Sequence, residues 1–173
     1  ETEILLERNL KTIADVEAAA KTLQQMGVKN VVVKGGHHQW LQGYCADYCL
    51  FGENSFWLLS PHQDTIHSHG TGCTFASAMA ASLANGFSIE DSAVQAKAYI
   101  NKGLRLAVPL GSGPGAVAHK GLADTAEDMP LVIDSLENYD PAILFQRAEK
   151  HLGLYPVVDT VEWVERLLAL GIK

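Results

Sequence analysis

Residues 67–86 read HSHGTGCTFASAMAASLANG, a Gly-Thr-Gly turn that delivers a cysteine into the start of an alanine-rich segment. From Thr74 to Leu83 the spacing is helical, with Phe75, Met79 and Leu83 on one side, small residues elsewhere, and Asn85-Gly86 as the stop. So small a surface predicts close packing against a sheet. Glycines let the backbone turn so that successive N–H groups point into one concavity, and the helix start behind them adds a partial positive charge. Gly70, Thr71 and Gly72 are therefore candidates to hold a phosphate. Cys73, at a helix start where a thiolate is favoured, is a candidate base or nucleophile. Short glycine motifs also precede many other helices, and a cysteine on an apolar helix is commonly a small core residue, so the loop alone leaves both readings open.

Upstream, Thr12 with Asp15 three residues later is a capping-box start, and Val16, Ala19, Ala20 and Leu23 mark one face of a helix that ends at Gly27. Asn30 to Lys34 is a short β-branched run of the kind buried in a parallel sheet, ended by Gly35-Gly36. Segments 43–51 and 55–60 read as two further strands joined by a turn at Gly52-Glu53-Asn54 and closed by Pro61. Downstream, Ser88 caps a second helix with Asp91 three residues later, and Ala93, Ala96, Ile100 and Leu104 form its buried stripe. This order of elements predicts an α/β half-domain.

Two lysines strengthen the phosphate reading. Lys34 stands at the carboxyl end of a strand, the edge on which open α/β sheets bind ligands. At about 100° per residue Lys97 falls within the stripe of Ala93, Ile100 and Leu104, so its stem runs along the buried face. Either could singly be a snorkelling lysine; both beside a phosphate-type loop are harder to explain so.

Composition sets the outer bounds. With 173 residues, 47% hydrophobic and 19% charged, the chain is long enough for one sizeable core. A net charge of −7, without a basic run, argues against a nucleic-acid surface, so any phosphate must be held locally. No apolar run approaches the roughly 20 residues of a membrane span, and no signal-peptide pattern opens the chain; a cytoplasmic location is the default. Three cysteines, Cys45, Cys49 and Cys73, are too few for a disulfide scaffold. The chain opens at Glu1 rather than a methionine and stops at Ile172-Lys173 as an apolar segment starts, so it reads as a fragment.

In combination, SHGTGCTFASAMAASLANG, preceded by VVVKGGH and followed by AVQAKAYINKGL, resembles the hydroxymethylpyrimidine and phosphomethylpyrimidine kinases of thiamine biosynthesis, members of the ribokinase superfamily. The resemblance covers residues 1–120, the carboxyl-terminal part of such a kinase. It implies a partial ribokinase-like sandwich, a mostly parallel sheet flanked by helices, and ATP-dependent phosphorylation of hydroxymethylpyrimidine and its monophosphate on the way to thiamine diphosphate. Gly70, Thr71 and Gly72 would form the anion hole for the transferred phosphoryl group. Cys73 would replace the aspartate base of most superfamily relatives. Lys34, with Gly35 and Gly36, and Lys97 would lie near the nucleotide phosphates. Glu1 would correspond to the acid of the superfamily's Asn-x-x-Glu motif, which helps organise magnesium. The loop LGSGPGAVAH departs from the family's usual Gly-His-Gly-Pro run, which leaves His119 without an assigned role. The implied small molecules are ATP with Mg2+ and a pyrimidine substrate, and a homo-oligomer is expected of the parent protein.

The tail HLGLYPVVDTVEWVERLLALGIK resembles the first strand and helix of thiamine-phosphate synthase, a (βα)8 barrel. In this reading Leu154 to Val158 is a strand, Val161 to Leu170 a helix stopped by Gly171, and the acidic, weakly patterned 121–150 a linker to a truncated unit at 151–173 without synthase activity of its own. Two alternatives stand beside the kinase reading. One is a catalytically silent fragment acting as a folding or association unit. The other is a metal-binding module built on His67, His69 and Cys73. Cys45 and Cys49, about 13 Å apart at strand rise, are too distant for one metal and read as core thiols. His37 and His38 read as loop residues.

Overall fold

Four strands in the order β1-β2-β3-β4 organise the first of two compact units, Glu1–Pro141 and Ala142–Lys173. The computed structural model describes residues 1–36, 41–109, 111–137 and 158–170. His37 and His38, most of the expected strand at Leu154 to Val158, the end of the expected linker, and Gly171 lie outside the described residues.

A short helix α1 (Thr2–Leu5) leads to α2 (Ile13–Gln25), which starts as its sequence demands. Thr12 Oγ1 accepts from Asp15 N at 3.1 Å and Asp15 Oδ2 accepts from Thr12 N at 3.0 Å, a reciprocal capping box. Then come β1 (Asn30–Val33), β2 (Tyr44–Phe51) and β3 (Asn54–Pro61). Gly52, at φ +60, makes the turn between β2 and β3, whose register sets Asp47 opposite Leu58 and Tyr48 opposite Trp57.

The mostly parallel sheet expected from the Val31 to Val33 run does not form: every pairing between these strands is antiparallel. For β1–β2 and β2–β3 the reason is the length of the connections. The link 34–43 is shorter than the dozen or more residues of a parallel crossover, and the β2–β3 turn is tighter still. The β-branched run reports burial on both faces, which an antiparallel strand covered by helices shares.

Strand alternation gives the sheet two faces. Tyr48 and Trp57 pack together on one, their rings tilted by 47° with centroids 4.8 Å apart, and Trp57 Nε1 donates to Glu17 Oε1 of α2 at 3.4 Å. Cys49, Phe51, Phe56 and Leu58 form the other face and pack on Ala93. Full burial of Trp57, Leu58 and Leu59 contributes about 1.5–3 kcal/mol per side chain.

Helices α3 (Thr71–Ala84) and α4 (Ile89–Arg105) follow, joined by the short turn 85–88. Ser88 Oγ accepts from Asp91 N at 3.0 Å at the start of α4. The helix α3 starts three residues before the periodic stretch, so Gly72 and Cys73 lie in its first turn. Its principal partner is α4, not the sheet: Phe75 packs with Ala96 and Ile100, Met79 is half-buried, and Leu83 is exposed.

Residues 121–137 of the expected linker carry a 3-10 turn (Ala126–Asp128) and the strand β4 (Leu131–Ile133), which adds antiparallel to β3. Buried Asp128 anchors this stretch to α4. Its two oxygens accept from Arg105 Nε and a terminal guanidinium nitrogen, each at 2.8 Å, and its carbonyl accepts from Asn101 Nδ2 at 2.9 Å. In the second unit the described structure is one amphipathic helix, α5 (Val161–Ala169), with Arg166 over the Trp163 ring.

Candidate functional site

Gly70 is the N-cap of α3 and sits in the left-handed region at φ +85, which a residue without a Cβ adopts at little cost. Thr74 N donates to Gly70 O at 2.9 Å and closes the first turn, while the Gly72 and Cys73 amides have no backbone acceptor among the described residues. These open donors at the positive end of α3 are what an anion site requires. The loop that feeds the turn is held from behind by the Gly-rich segment. His69 N donates to Gly115 O at 3.2 Å, Val117 N to His69 O at 3.0 Å, and Gly115 N to His67 Nδ1 at 2.9 Å.

Thr71 faces a cavity of about 300 Å3. The end of β1 contributes Lys34 and Gly36, β2 contributes Cys45 and Asp47, and α4 contributes Lys97, Ile100, Asn101 and Leu104, with Phe75 of α3 as an apolar wall. Lys34 Nζ lies 5.5 Å from the Phe75 ring centroid, a cation–π distance that keeps an exposed lysine over the opening. Lys97 lies deeper: its Nζ donates to Asp47 Oδ2 at 2.9 Å and to Cys45 Sγ at 3.2 Å. Burial pushes the lysine toward its neutral form, but the Asp47 charge, then Cys45, and the hydrogen bonds of both outweigh that and hold the ammonium above the ordinary lysine range. Burial in turn raises the Cys45 thiol, and the Asp47 charge adds to the rise.

Cys73 opens elsewhere, onto a wider cavity of about 760 Å3 along α3, with Thr74, Ser77 and Ala78 on that helix and Tyr99 and His119 opposite. The reason is helical geometry: residues two apart point about 200° away from each other, so Thr71 and Cys73 face different sides of one helix start. Tyr99 Oη and His119 Nδ1, 3.2 Å apart, form part of the rim.

A family model described as phosphomethylpyrimidine kinase matches residues 1–118. The chain belongs to this family. It is 39% identical over 128 residues to the thiamine biosynthesis bifunctional protein ThiED of Geobacter sulfurreducens, covering 74% of this chain and 26% of that protein. It is also 39% identical over 106 residues to the hydroxymethylpyrimidine/phosphomethylpyrimidine kinase of Haemophilus influenzae, covering 60% of this chain and 39% of that protein. The chain spans well under half the length of these relatives. Among solved structures it is similar to the pyridoxal kinase of Staphylococcus aureus in complex with AMP-PCP and pyridoxal, with TM-score 0.66, 28% identity, and coverage of 76% of this chain and 48% of that one. The ADP complex of Bacillus subtilis pyridoxal kinase gives TM-score 0.64 and 32% identity over 69% of this chain and 45% of that one. These neighbours bear out the ribokinase-like part of the expected fold.

In this phosphomethylpyrimidine kinase segment the structure brings Lys34, Gly36, Thr71 and Lys97 to one cavity. Gly35 lies beneath them, its amide donating to Asp47 Oδ1 at 2.8 Å, and Gly70 and Gly72 shape the helix start above. Cys73 and Glu1 are not among that lining; Glu1 is the exposed N-cap of α1. Lys97 lies on the predicted face but is ion-paired, which the helical spacing does not show. The residue missed from the sequence is Asp47. Its signal is the pattern Cys45-Ala-Asp47-Tyr-Cys49, which puts a carboxylate on the same buried strand face as two thiols, and a buried carboxylate requires a partner. Cys49 is fully buried and Cys45 half-buried.

For metals, His67 Nδ1 is occupied by the Gly115 amide, and no group of three His, Cys, Asp or Glu side chains among the described residues is placed to hold an ion. Asp47, the carboxylate on the smaller cavity, already bonds Lys97 and Gly35, so the described residues do not build a magnesium cage.

Proposed function

We propose that this chain forms the phosphate-handling part of a kinase that transfers the terminal phosphoryl group of ATP to hydroxymethylpyrimidine and its monophosphate in thiamine diphosphate biosynthesis, in the cytoplasm. One observation carries the reading: two lysines from distant segments converge with the α3 start on one cavity. Phosphoryl transfer needs charge neutralisation and positioning more than covalent help. The open amides of Gly72 and Cys73 and the cations Lys34 and Lys97 suit a polyphosphate, and the apolar wall of Phe75, Ile100 and Leu104 suits the rest of a nucleotide. Solved relatives with ADP and AMP-PCP agree with a nucleotide in this role. Magnesium-ATP is the donor proposed.

Cys73 is the proposed base that takes or orients the acceptor hydroxyl proton from the other side of the α3 start, where the wide cavity leaves room for a pyrimidine. The bifunctional relative supports reading α5 and its surroundings as the opening of a synthase-like unit in a fused, oligomeric parent protein. No described helix is long and apolar enough to cross a membrane.

A second reading, nucleotide binding without transfer, is favoured by the separation of Cys73 from the lysine-lined cavity. Calorimetric titration with ATP, followed by incubation with hydroxymethylpyrimidine and mass spectrometry of the pyrimidine, separates the two. Phosphorylated pyrimidine supports the kinase. Binding without product supports the second reading, and absence of ATP binding overturns both.

A further inference from the structure

The floor of the smaller cavity is organised around one carboxylate. Asp47 Oδ2 accepts from Lys97 Nζ at 2.9 Å and Oδ1 from Gly35 N at 2.8 Å. The Asp47 side chain is 1% exposed and that of Lys97 5%. Stability alone does not account for such a pair, because a buried ion pair is commonly no better than apolar side chains of the same volume. Its geometry does suggest a use. An ammonium has three donors, and Lys97 gives one to Asp47 and one to Cys45, which leaves the third for the cavity that the lysine lines. The Gly35 bond fixes, by the same carboxylate, the backbone between Lys34 and Gly36. Donors held in place before a ligand arrives need no reorganisation when charge develops near them.

We propose that Asp47 is a positioning residue, whose two oxygens hold the Lys97 ammonium and the Lys34–Gly36 backbone in one geometry so that a polyphosphate entering the cavity meets a preset array of donors. The inference rests on the nucleotide reading above and names the residue that sets the geometry of that site. The ionisable groups around Lys97 are Asp47, Cys45 and Cys49 of β2, Lys34 at the end of β1 and His62 after β3; α3 presents Thr71 and Phe75, and α4 itself presents Asn101.

The test is Asp47→Asn in the full chain, with Leu58→Ala, the residue directly opposite on β3, as a packing control. Without its charge partner, buried Lys97 loses its proton at lower pH. ADP binding to Asp47→Asn should therefore weaken about tenfold between pH 7 and pH 9, a range over which the unsubstituted chain and Leu58→Ala change little. Turnover with ATP, where measured, should fall about 10–100-fold, beyond any change in KM. A pH profile of Asp47→Asn that matches the parent overturns this inference and leaves the nucleotide reading standing, whereas a parent that binds no ADP overturns both. If Asp47→Asn does not fold, the double variant Asp47→Asn/Lys97→Gln removes both buried charges. Loss of ADP binding in it beyond that of Lys97→Gln alone supports the proposal, and affinity equal to that of Lys97→Gln overturns it.

Discussion

Gly115 N donates to His67 Nδ1 at 2.9 Å, and a Cβ added to Gly115 would stand 2.7 Å from that same nitrogen. The Gly-rich segment after α4 thus sits as close to the loop before α3 as a backbone can. Gly115→Ala should force the ring aside, break the bond and cost about 1–3 kcal/mol in urea unfolding. His67→Ala opens the space again, so the double variant should be less destabilised than the sum of the two single changes. Strict additivity would show that the two residues do not act as one contact.

The two glycines of the α3 start should respond in opposite ways. Gly70→Ala places a Cβ at φ +85 and should cost about 1–2 kcal/mol, although nothing crowds it. Gly72 lies inside the helix with open space around it, so Gly72→Ala should gain up to about 1 kcal/mol from helix propensity. An added methyl beside the amide proposed to donate to a phosphate leaves less room for one, so ADP binding to Gly72→Ala should weaken about tenfold or more. A variant that is both more stable and equally tight in binding would remove Gly72 from the anion site.

Cys73→Ala separates transfer from binding. The thiol lines the wide cavity and not the one that holds the lysines, so ADP affinity should stay within about twofold while turnover on a pyrimidine acceptor falls by at least about 100-fold, the share general-base catalysis contributes. Undiminished turnover would take Cys73 out of the mechanism.

Asp128 should give the acid limb of stability. Its hydrogen bonds from Arg105 come first; against the cost of burial, they and the Thr125 hydroxyl hold the carboxyl below the usual carboxylate range. A group whose folded pKa is depressed contributes stability above its unfolded value, near 3.8, and loses it as the pH falls further. Asp128→Asn should therefore unfold at lower urea than the parent at pH 7, and the gap between the two midpoints should narrow as the pH falls below about 4. A gap that stays unchanged as the pH is lowered through the acid limb would show that the charge is not what Asp128 contributes.

Much of this was legible because it is local. The Thr12 and Ser88 caps, the Gly52 turn and the Gly70 helix start each involve groups within four residues of one another, and each forms as its residues require. The motifs around Lys34, Thr71 and Lys97 read as a candidate phosphate site, and these three side chains meet at one cavity. The acidic stretch 122–137 was not readable as structure. Its strand is only three residues long and its anchor, Asp128, finds Arg105 across 23 residues of chain.

What the sequence by itself determined, then, is the main helices, the three strands β1 to β3 and the family: caps, turns and periodicity are short-range, and the Gly-Thr-Gly-Cys and lysine motifs are carried by residue type. Only the tertiary structure decided strand direction, the partner of Lys97 and the outlook of Cys73. Asp47 and Lys97 are 50 positions apart, and their bond exists because β2 and α4 are stacked face to face around it. Thr71 and Cys73 are two positions apart and look into different cavities, because a helix turns them away from each other.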